Sequence, residues 1–172
     1  TPVRLLADLQ GNLNLSEGQI DTLIALLKQN VGDGLFGYEY DGVTYTDPDT
    51  AGIALAALAP FYGQNADATA LVDTILTALP GALNQSGSLG NANADAIVIT
   101  GLIALGKDPS AFQNIESGAS LVDGLLSWAN DRGDAFQYPN FITGALEDNA
   151  LATEQGFRAL IALEKFDGTT PY

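Results

Sequence analysis

The 172-residue chain contains no histidine, no cysteine and no methionine. Without cysteine and histidine it has no disulfide, no Cys/His zinc site, no Ser-His-Asp triad, no Cys-His pair and no thiol nucleophile. Any catalysis therefore has to depend on carboxylates or tyrosines. The absence of cysteine leaves the redox compartment open, because proteins of the cytosol and of bacterial surfaces can both lack thiols.

Positive charge is also scarce. Six lysines and arginines stand against 21 aspartates and glutamates, which gives a net charge of −15 at pH 7. A nucleic-acid binder needs a basic surface to displace counterions, and anionic lipid headgroups attract basic segments. The longest apolar runs, residues 53–59 and 96–99, are far shorter than the roughly 18–20 residues that span a bilayer. We therefore expect neither nucleic-acid binding nor membrane insertion.

The chain is rich in alanine and leucine, with 25 of each, and its apolar residues recur at helical spacing. Between the first two predicted helices, the Gly-, Asp- and Tyr-rich segment 31–49 predicts a long loop with a short hairpin across Glu39 to Tyr45. The sequence thus predicts an all-α domain. The predicted helices cover residues 16–32, 47–60, 67–79, 93–105, 117–130 and 148–166.

These helices repeat in pairs. Segments that begin at Asp47, Asn91 and Asn149 align at their small and apolar positions, and the loops 35–37, 88–90 and 135–137 align as well. Residues 1–172 therefore form a single domain of three consecutive helical hairpins, at approximately 16–62, 66–106 and 117–166. Helices that are apolar nearly all round need cover on both sides, so we expect the alanine-rich helices in an inner layer and the others outside.

Several segments carry a family resemblance, namely Asp47-Pro-Asp-Thr-Ala51 with residues 57–62, Asn93-Ala-Asp95 with 101–109, and 152–155 with 162–166. The chain resembles the α/α-toroid repeat of prenyltransferases and terpene cyclases. In particular it resembles the non-catalytic version in Gram-positive surface proteins, which is related to the transcobalamin α-domain. That resemblance implies a toroid of six hairpins, of which three are here, as an arc or half-toroid. An open edge of such an arc favours self-association.

The resemblance also implies an exported protein, extracellular or attached to the cell wall. Because the chain begins at Thr1, we expect it to be a processed or excised segment whose signal peptide lies outside it. Its partners are then a small molecule, a glycan or another protein, and we expect no cofactor.

Residues 47–51 resemble the Asp-X-Asp-Asp-Thr-Ala box with which class II terpene cyclases protonate an alkene. Pro48 stands where that box has its catalytic acid, so helix capping by Asp47 and Asp49 is the competing interpretation. The same two carboxylates are candidates for calcium, although the spacing of a dedicated calcium loop is missing. A pair of acids for glycoside hydrolysis is a further possibility. Its candidates are Glu39, Asp41, Glu147, Asp148 and Glu154.

The best candidates for ligand binding are aromatic residues in the loops before the second and sixth helices, joined by polar residues at helix starts. Plugging of the rim is the competing role for the aromatics, and Trp128 is expected to serve packing. The candidates are Tyr38, Tyr40, Tyr45, Asp47, Asp49, Asn91, Asn93, Phe136, Tyr138 and Asn149, with Phe141 as a further aromatic.

Three functions remain open at this point. The first is a non-catalytic repeat module of an exported bacterial surface protein, with a ligand-binding or spacer role and no catalytic residue. The second is a carboxylate-dependent enzyme, either similar to class II terpene cyclases or active on glycans. The third is cobalamin-type binding of a small molecule, which only the family relation implies.

Overall fold

A computed structural model of the chain describes residues 16–31, 34–140 and 142–166. Within these ranges it contains six α-helices and two small antiparallel sheets of two strands each. The predicted helical character is confirmed, and the two sheets are additions to the all-α prediction. The helices are α1 (Glu17–Lys28), α2 (Pro48–Leu58), α3 (Ala66–Ala82), α4 (Ala92–Ala104), α5 (Leu121–Leu126) and α6 (Ala150–Lys165).

Five helices begin close to where the sequence predicts, among them α3, which begins at Ala66, one residue before its predicted start. Ser16 caps α1 in a capping box with Gln19, and α2 begins at Pro48 directly after its N-cap residue, Asp47. The first turn of a helix accepts proline because its N–H would have no intrahelical partner. Helices α4 and α6 begin within two residues of their predicted starts.

Helices α3 and α5 differ from prediction. Pro80 was expected to end α3, but it lies in the last turn and the helix continues to Ala82. Helix α5 covers six residues instead of the predicted 117–130. Before it, Gly118 has a φ of +73°, outside the helical region, and Ser120 forms a capping box with Asp123 that sets the first turn.

The first sheet pairs β1 (Gly37–Tyr40) with β2 (Val43–Thr46) and confirms the predicted hairpin. Its two-residue turn, Asp41-Gly42, has φ values of +51° and +73°, as a type I′ turn requires. The second sheet pairs β3 (Gln137–Pro139) with β4 (Leu146–Asp148) and was not predicted. Its strands have only three residues each and β3 contains Pro139, so the sequence shows no alternating apolar pattern that would predict it.

Helix α4 packs against α2 on one side and α6 on the other. A Cβ atom on Gly52 of α2 would lie 2.7 Å from the backbone nitrogen of Val98, so only glycine lets the two backbones approach this closely. Gly101 of α4 lies beside Leu55, one turn further along α2. Because the contacts advance along both helices in the same sense, α2 and α4 run in the same direction.

Helices α2, α4 and α6 form a row, and the remaining helices pack around it. Helix α3 packs against α2, α5 packs against α4, and α1 packs against α3. Apolar side chains from all six helices form one continuous core, in which α4 is buried nearly all round. Large side chains with no exposed surface include Ile24, Leu55, Ile75, Ile99, Leu102 and Leu121. Over the described ranges, no helix has the length and apolar character needed to cross a membrane.

We predict that Gly52→Ala lowers the free energy of unfolding by about 1–3 kcal/mol, because the added methyl group forces α2 and α4 apart. Gly18→Ala is the matched control, since a Cβ there has nothing within 4 Å. The control change should raise the free energy of unfolding by up to about 1 kcal/mol. Urea denaturation followed by circular dichroism measures both, and equal effects of the two changes would contradict the close helix contact.

Candidate functional site

The first turns of α2, α4 and α6 meet around one polar pocket. Its volume is about 350 Å³, which is at the lower end of the range for small-molecule sites, roughly 300–1,000 Å³. Since all three helices begin at this pocket, α6 starts at the same end of the row as α2 and α4. We call it the rim pocket; its lining residues are Asp49, Asn91, Asn93, Ile97, Tyr138, Asn149, Leu151 and Gln155.

Each of the three helices begins with the same kind of cap. The side chain of Asp47 accepts a hydrogen bond from the N–H of Thr50 at the start of α2. Asn91 caps α4 and Asn149 caps α6 through equivalent bonds of 2.9 and 3.0 Å. These are the positions at which the sequence repeats align. The alignment therefore predicted the three helix starts that surround the pocket.

Two buried phenylalanines hold the rim loops in place. The N–H of Asp47 donates to the carbonyl of Phe36, and the N–H of Asn149 donates to the carbonyl of Phe136. Phe136 is 2% exposed, and its ring fills the space that Gly156 leaves open. Its proposed role in ligand binding is therefore corrected: Phe136 anchors the loop to the core. Its alignment with Phe36 was the signal for this role.

Two amides connect α4 and α6 within the rim pocket. The side-chain nitrogen of Asn93 donates to Oε1 of Gln155 over 2.6 Å, and Asn93 itself is 8% exposed. A buried amide with a defined partner keeps one orientation. This bond fixes the polar wall between the two helices.

The carboxylate of Asp49, which lines the rim pocket, has a buried oxygen atom and a raised pKa. Its Oδ1 atom is buried and has no hydrogen-bond partner among the described residues. Burial, together with the negative charge of Asp47, raises the pKa of Asp49 above its usual range. An orphaned buried oxygen is costly, and a ligand that donates a hydrogen bond to it removes that cost.

Sequence reasoning missed a second buried carboxylate, Asp95, one turn after the Asn91 cap. It has no exposed surface and accepts hydrogen bonds from the N–H of Leu89 at 2.6 Å and from the indole of Trp128 at 3.1 Å. Burial raises the pKa of Asp95 to about 6, although these bonds and one with Ser88 oppose the rise and the charge of Asp49 adds to it. A charged residue in the most apolar helix was the available signal.

Trp128 therefore does more than its predicted packing role requires. Its indole packs against the core, and its N–H also donates to the hydroxyl of Ser88 at 2.9 Å. Through Asp95 and Ser88, Trp128 joins the end of α5 to the loop before α4. This network ties down the loop that precedes Asn91.

The three tyrosines of the first hairpin lie away from the rim pocket. Tyr38 and Tyr45 pair across the strands with ring centroids 5.3 Å apart and line a separate groove, beside the ends of α1 and α3. Tyr40 is 70% exposed and lines neither cavity. The structure thus brings Asp49, the three asparagines and Tyr138 together and leaves the other tyrosines apart. Phe141 lies outside the described residues.

The other acids singled out in the sequence are not among the residues that line the rim pocket. Asp148 and Arg132 form an ion pair, and Glu154 is paired with Arg158 one turn along α6. Glu39 lines the groove beside the first hairpin, Asp41 lies in its turn, and Glu147 accepts from Asn140 in the second hairpin. In the part of the chain that the structure describes, no group of three or more acidic residues is placed to hold a metal ion.

No known family model, curated protein sequence or solved structure matches the chain. The geometry of the rim pocket is therefore the basis for assigning a function. The pocket is lined by four side-chain amides, one carboxylate, one phenol and the aliphatic side chains of Ile97 and Leu151.

We predict that the fluorescence of Trp128 titrates with a midpoint near pH 6, because its indole is bonded to Asp95. Trp128 is the only tryptophan in the chain, so the emission reports this site alone. Asp95→Asn should abolish the titration. Asp131→Asn, which changes an exposed acid, should leave it intact. A titration that survives in Asp95→Asn would show that another group controls the emission.

The raised pKa of Asp95 also makes a stability prediction. Because the folded-state pKa lies above the ordinary value of 3.8, the contribution of Asp95 to stability is fully present below about pH 4 and is lost as the pH rises through about 6. The loss amounts to about 3 kcal/mol. Urea unfolding of the wild type and Asp95→Asn from pH 4 to pH 7 isolates it as a difference. A difference that stays constant across this range contradicts the prediction.

Proposed function

We propose that this chain is a non-catalytic ligand-binding module whose rim pocket binds a small, uncharged molecule rich in hydroxyl groups, such as a sugar. The observation that carries the proposal is a pocket built from three helix starts and lined by Asp49, whose Oδ1 atom is buried and has no hydrogen-bond partner among the described residues. Such an oxygen needs a hydrogen-bond donor, which a hydroxyl group supplies.

The charges around the rim pocket favour a neutral ligand. Among the described lining residues there is no lysine or arginine to neutralise an anion, and Asp49 repels one. A cation would face the positive ends of three helix dipoles. Amides that both donate and accept match the hydroxyls of a sugar, while the phenol ring of Tyr138 and the aliphatic side chains of Ile97 and Leu151 match its apolar faces.

We further propose that the three helical hairpins form an arc of the α/α-toroid type. The common direction of α2, α4 and α6, the repeated Asx caps and the repeated aromatic anchors support this arrangement. The resemblance to the surface-protein version of that repeat leads us to propose an exported protein, extracellular or attached to the cell wall. Self-association through an open edge of the arc remains part of this proposal.

The pocket can be mapped by two-dimensional amide NMR with three kinds of small molecule: neutral monosaccharides, an alkylamine and a carboxylic acid. We expect the monosaccharides alone to shift the amide signals of Asn91, Asn93 and Asn149. Gln155→Ala should weaken this binding about tenfold, because it removes one wall amide and frees Asn93. Gln64→Ala, the matched change at an exposed glutamine, should have no effect. If no compound shifts these signals, the ligand-binding role fails and a spacer role replaces it.

A carboxylate-dependent enzyme is the second candidate, because the raised pKa of Asp49 is typical of a catalytic acid. Glycoside hydrolysis needs two carboxyl groups on either side of the bond, and Asp49 is the only carboxylate among the residues that line the rim pocket. Asp49→Asn separates the two candidates. The amide still accepts a hydroxyl, so binding should persist, whereas turnover of a saccharide that Asp49→Asn abolishes would establish the enzyme.

A further inference from the structure

A second cavity lies next to the rim pocket, on the face that α2, α4 and α6 share. It is a groove of about 290 Å³. Its floor consists of small and aliphatic residues, among them Gly52, Ala56 and Ala96. Its polar walls come from Thr100 and from the ion pair of Glu154 with Arg158. We call this cavity the inner groove.

The rim pocket and the inner groove adjoin each other. Ile97 of α4 and Gln155 of α6 line both cavities. A ligand that enters at the helix starts therefore meets these two side chains at the boundary with the inner groove. The two cavities have similar volumes, about 350 and 290 Å³.

We infer that the ligand is a neutral oligosaccharide, with one sugar unit in the rim pocket and the next in the inner groove. This inference rests on the proposed function of the rim pocket. In the inner groove, an aliphatic floor with polar walls matches a sugar ring, whose faces are apolar and whose edge carries hydroxyls. The hydroxyl of Thr100 and the Glu154–Arg158 pair present both donors and acceptors to that edge.

Other extended ligands match the inner groove less well. A peptide that binds by strand addition needs a free sheet edge, but the groove is made of helices whose backbone groups are bonded within each helix. An acyl chain would have no hydrogen-bonding groups for the polar side chains of Thr100, Glu154 and Arg158 that line the groove. The ion pair carries no net charge, so it does not call for a charged ligand.

The test measures affinity against chain length by calorimetry, with glucose, cellobiose and cellotriose in one series and the corresponding N-acetylglucosamine oligomers in another. In at least one series we expect the trisaccharide to bind about tenfold more tightly than the monosaccharide, which corresponds to about 1.4 kcal/mol. Amide signals of Ala56, Thr100 and Glu154 should shift with the longer sugars only.

Ala56→Phe blocks the inner groove without touching the rim pocket. Ala56 is only partly buried, so the larger side chain can occupy the groove. This change should abolish the gain in affinity for longer sugars and leave the affinity for the monosaccharide unchanged, while Ala56→Ser should preserve the gain. Thr100→Phe supplies the same block from α4, should Ala56→Phe lower the stability of the fold.

The two proposals fail in different ways. Equal affinity for all chain lengths, or a gain that survives both blocking variants, overturns the oligosaccharide inference and leaves the rim pocket as a binding site. Tighter binding of a neutral peptide or of an alkyl glycoside than of the trisaccharide also overturns it. Absence of any ligand at the rim pocket in the NMR experiment removes the proposed function itself.

Discussion

The contact between the backbones of α2 and α4 determines the rest of the molecule. Gly52 and Gly101 bring the two helices together without an intervening side chain, and this approach fixes their relative position along the row. With that register set, the helix starts coincide at one end. The rim pocket exists because helices in register begin together, and it would open if a larger residue separated them.

The repeated helix caps place polar side chains where the three helix starts meet. A helix start needs oxygen acceptors for its free N–H groups, and Asp47, Asn91 and Asn149 supply them. Three such starts in one place gather short polar side chains around a single cavity. Two further residues in the first turns, Asp49 and Asn93, line that cavity. The helix-capping and ligand-binding interpretations of these residues are therefore compatible, because the caps also bring polar side chains to the pocket in which we propose that a ligand binds.

Repetition in the sequence predicted the parts of the fold that repeat. Caps recur at one alignment position, so the starts of α2, α4 and α6 and the grouping of their asparagines were predictable. The hydrogen bond between Trp128 and Asp95 joins residues far apart in sequence and has no counterpart in the other repeats, so no sequence periodicity predicts it. The buried state of Phe136 depends on the gap at Gly156, which only the packed structure reveals. The short α5 reflects tertiary contacts and turn geometry that outweigh helix propensity.

The rim loops differ in kind while the helices beneath them stay alike. The loops before α2 and α6 carry β-hairpins, whereas the middle loop, residues 83–91, carries none and is tied down by Ser88 and Asp95. Each of the two hairpin loops is bonded to the scaffold at its base, through the carbonyls of Phe36 and Phe136, so the core places little constraint on the hairpin tips. Changes in the length and composition of these tips should therefore leave the helical scaffold unchanged, and in the proposed binding role they would alter which molecules reach the pocket.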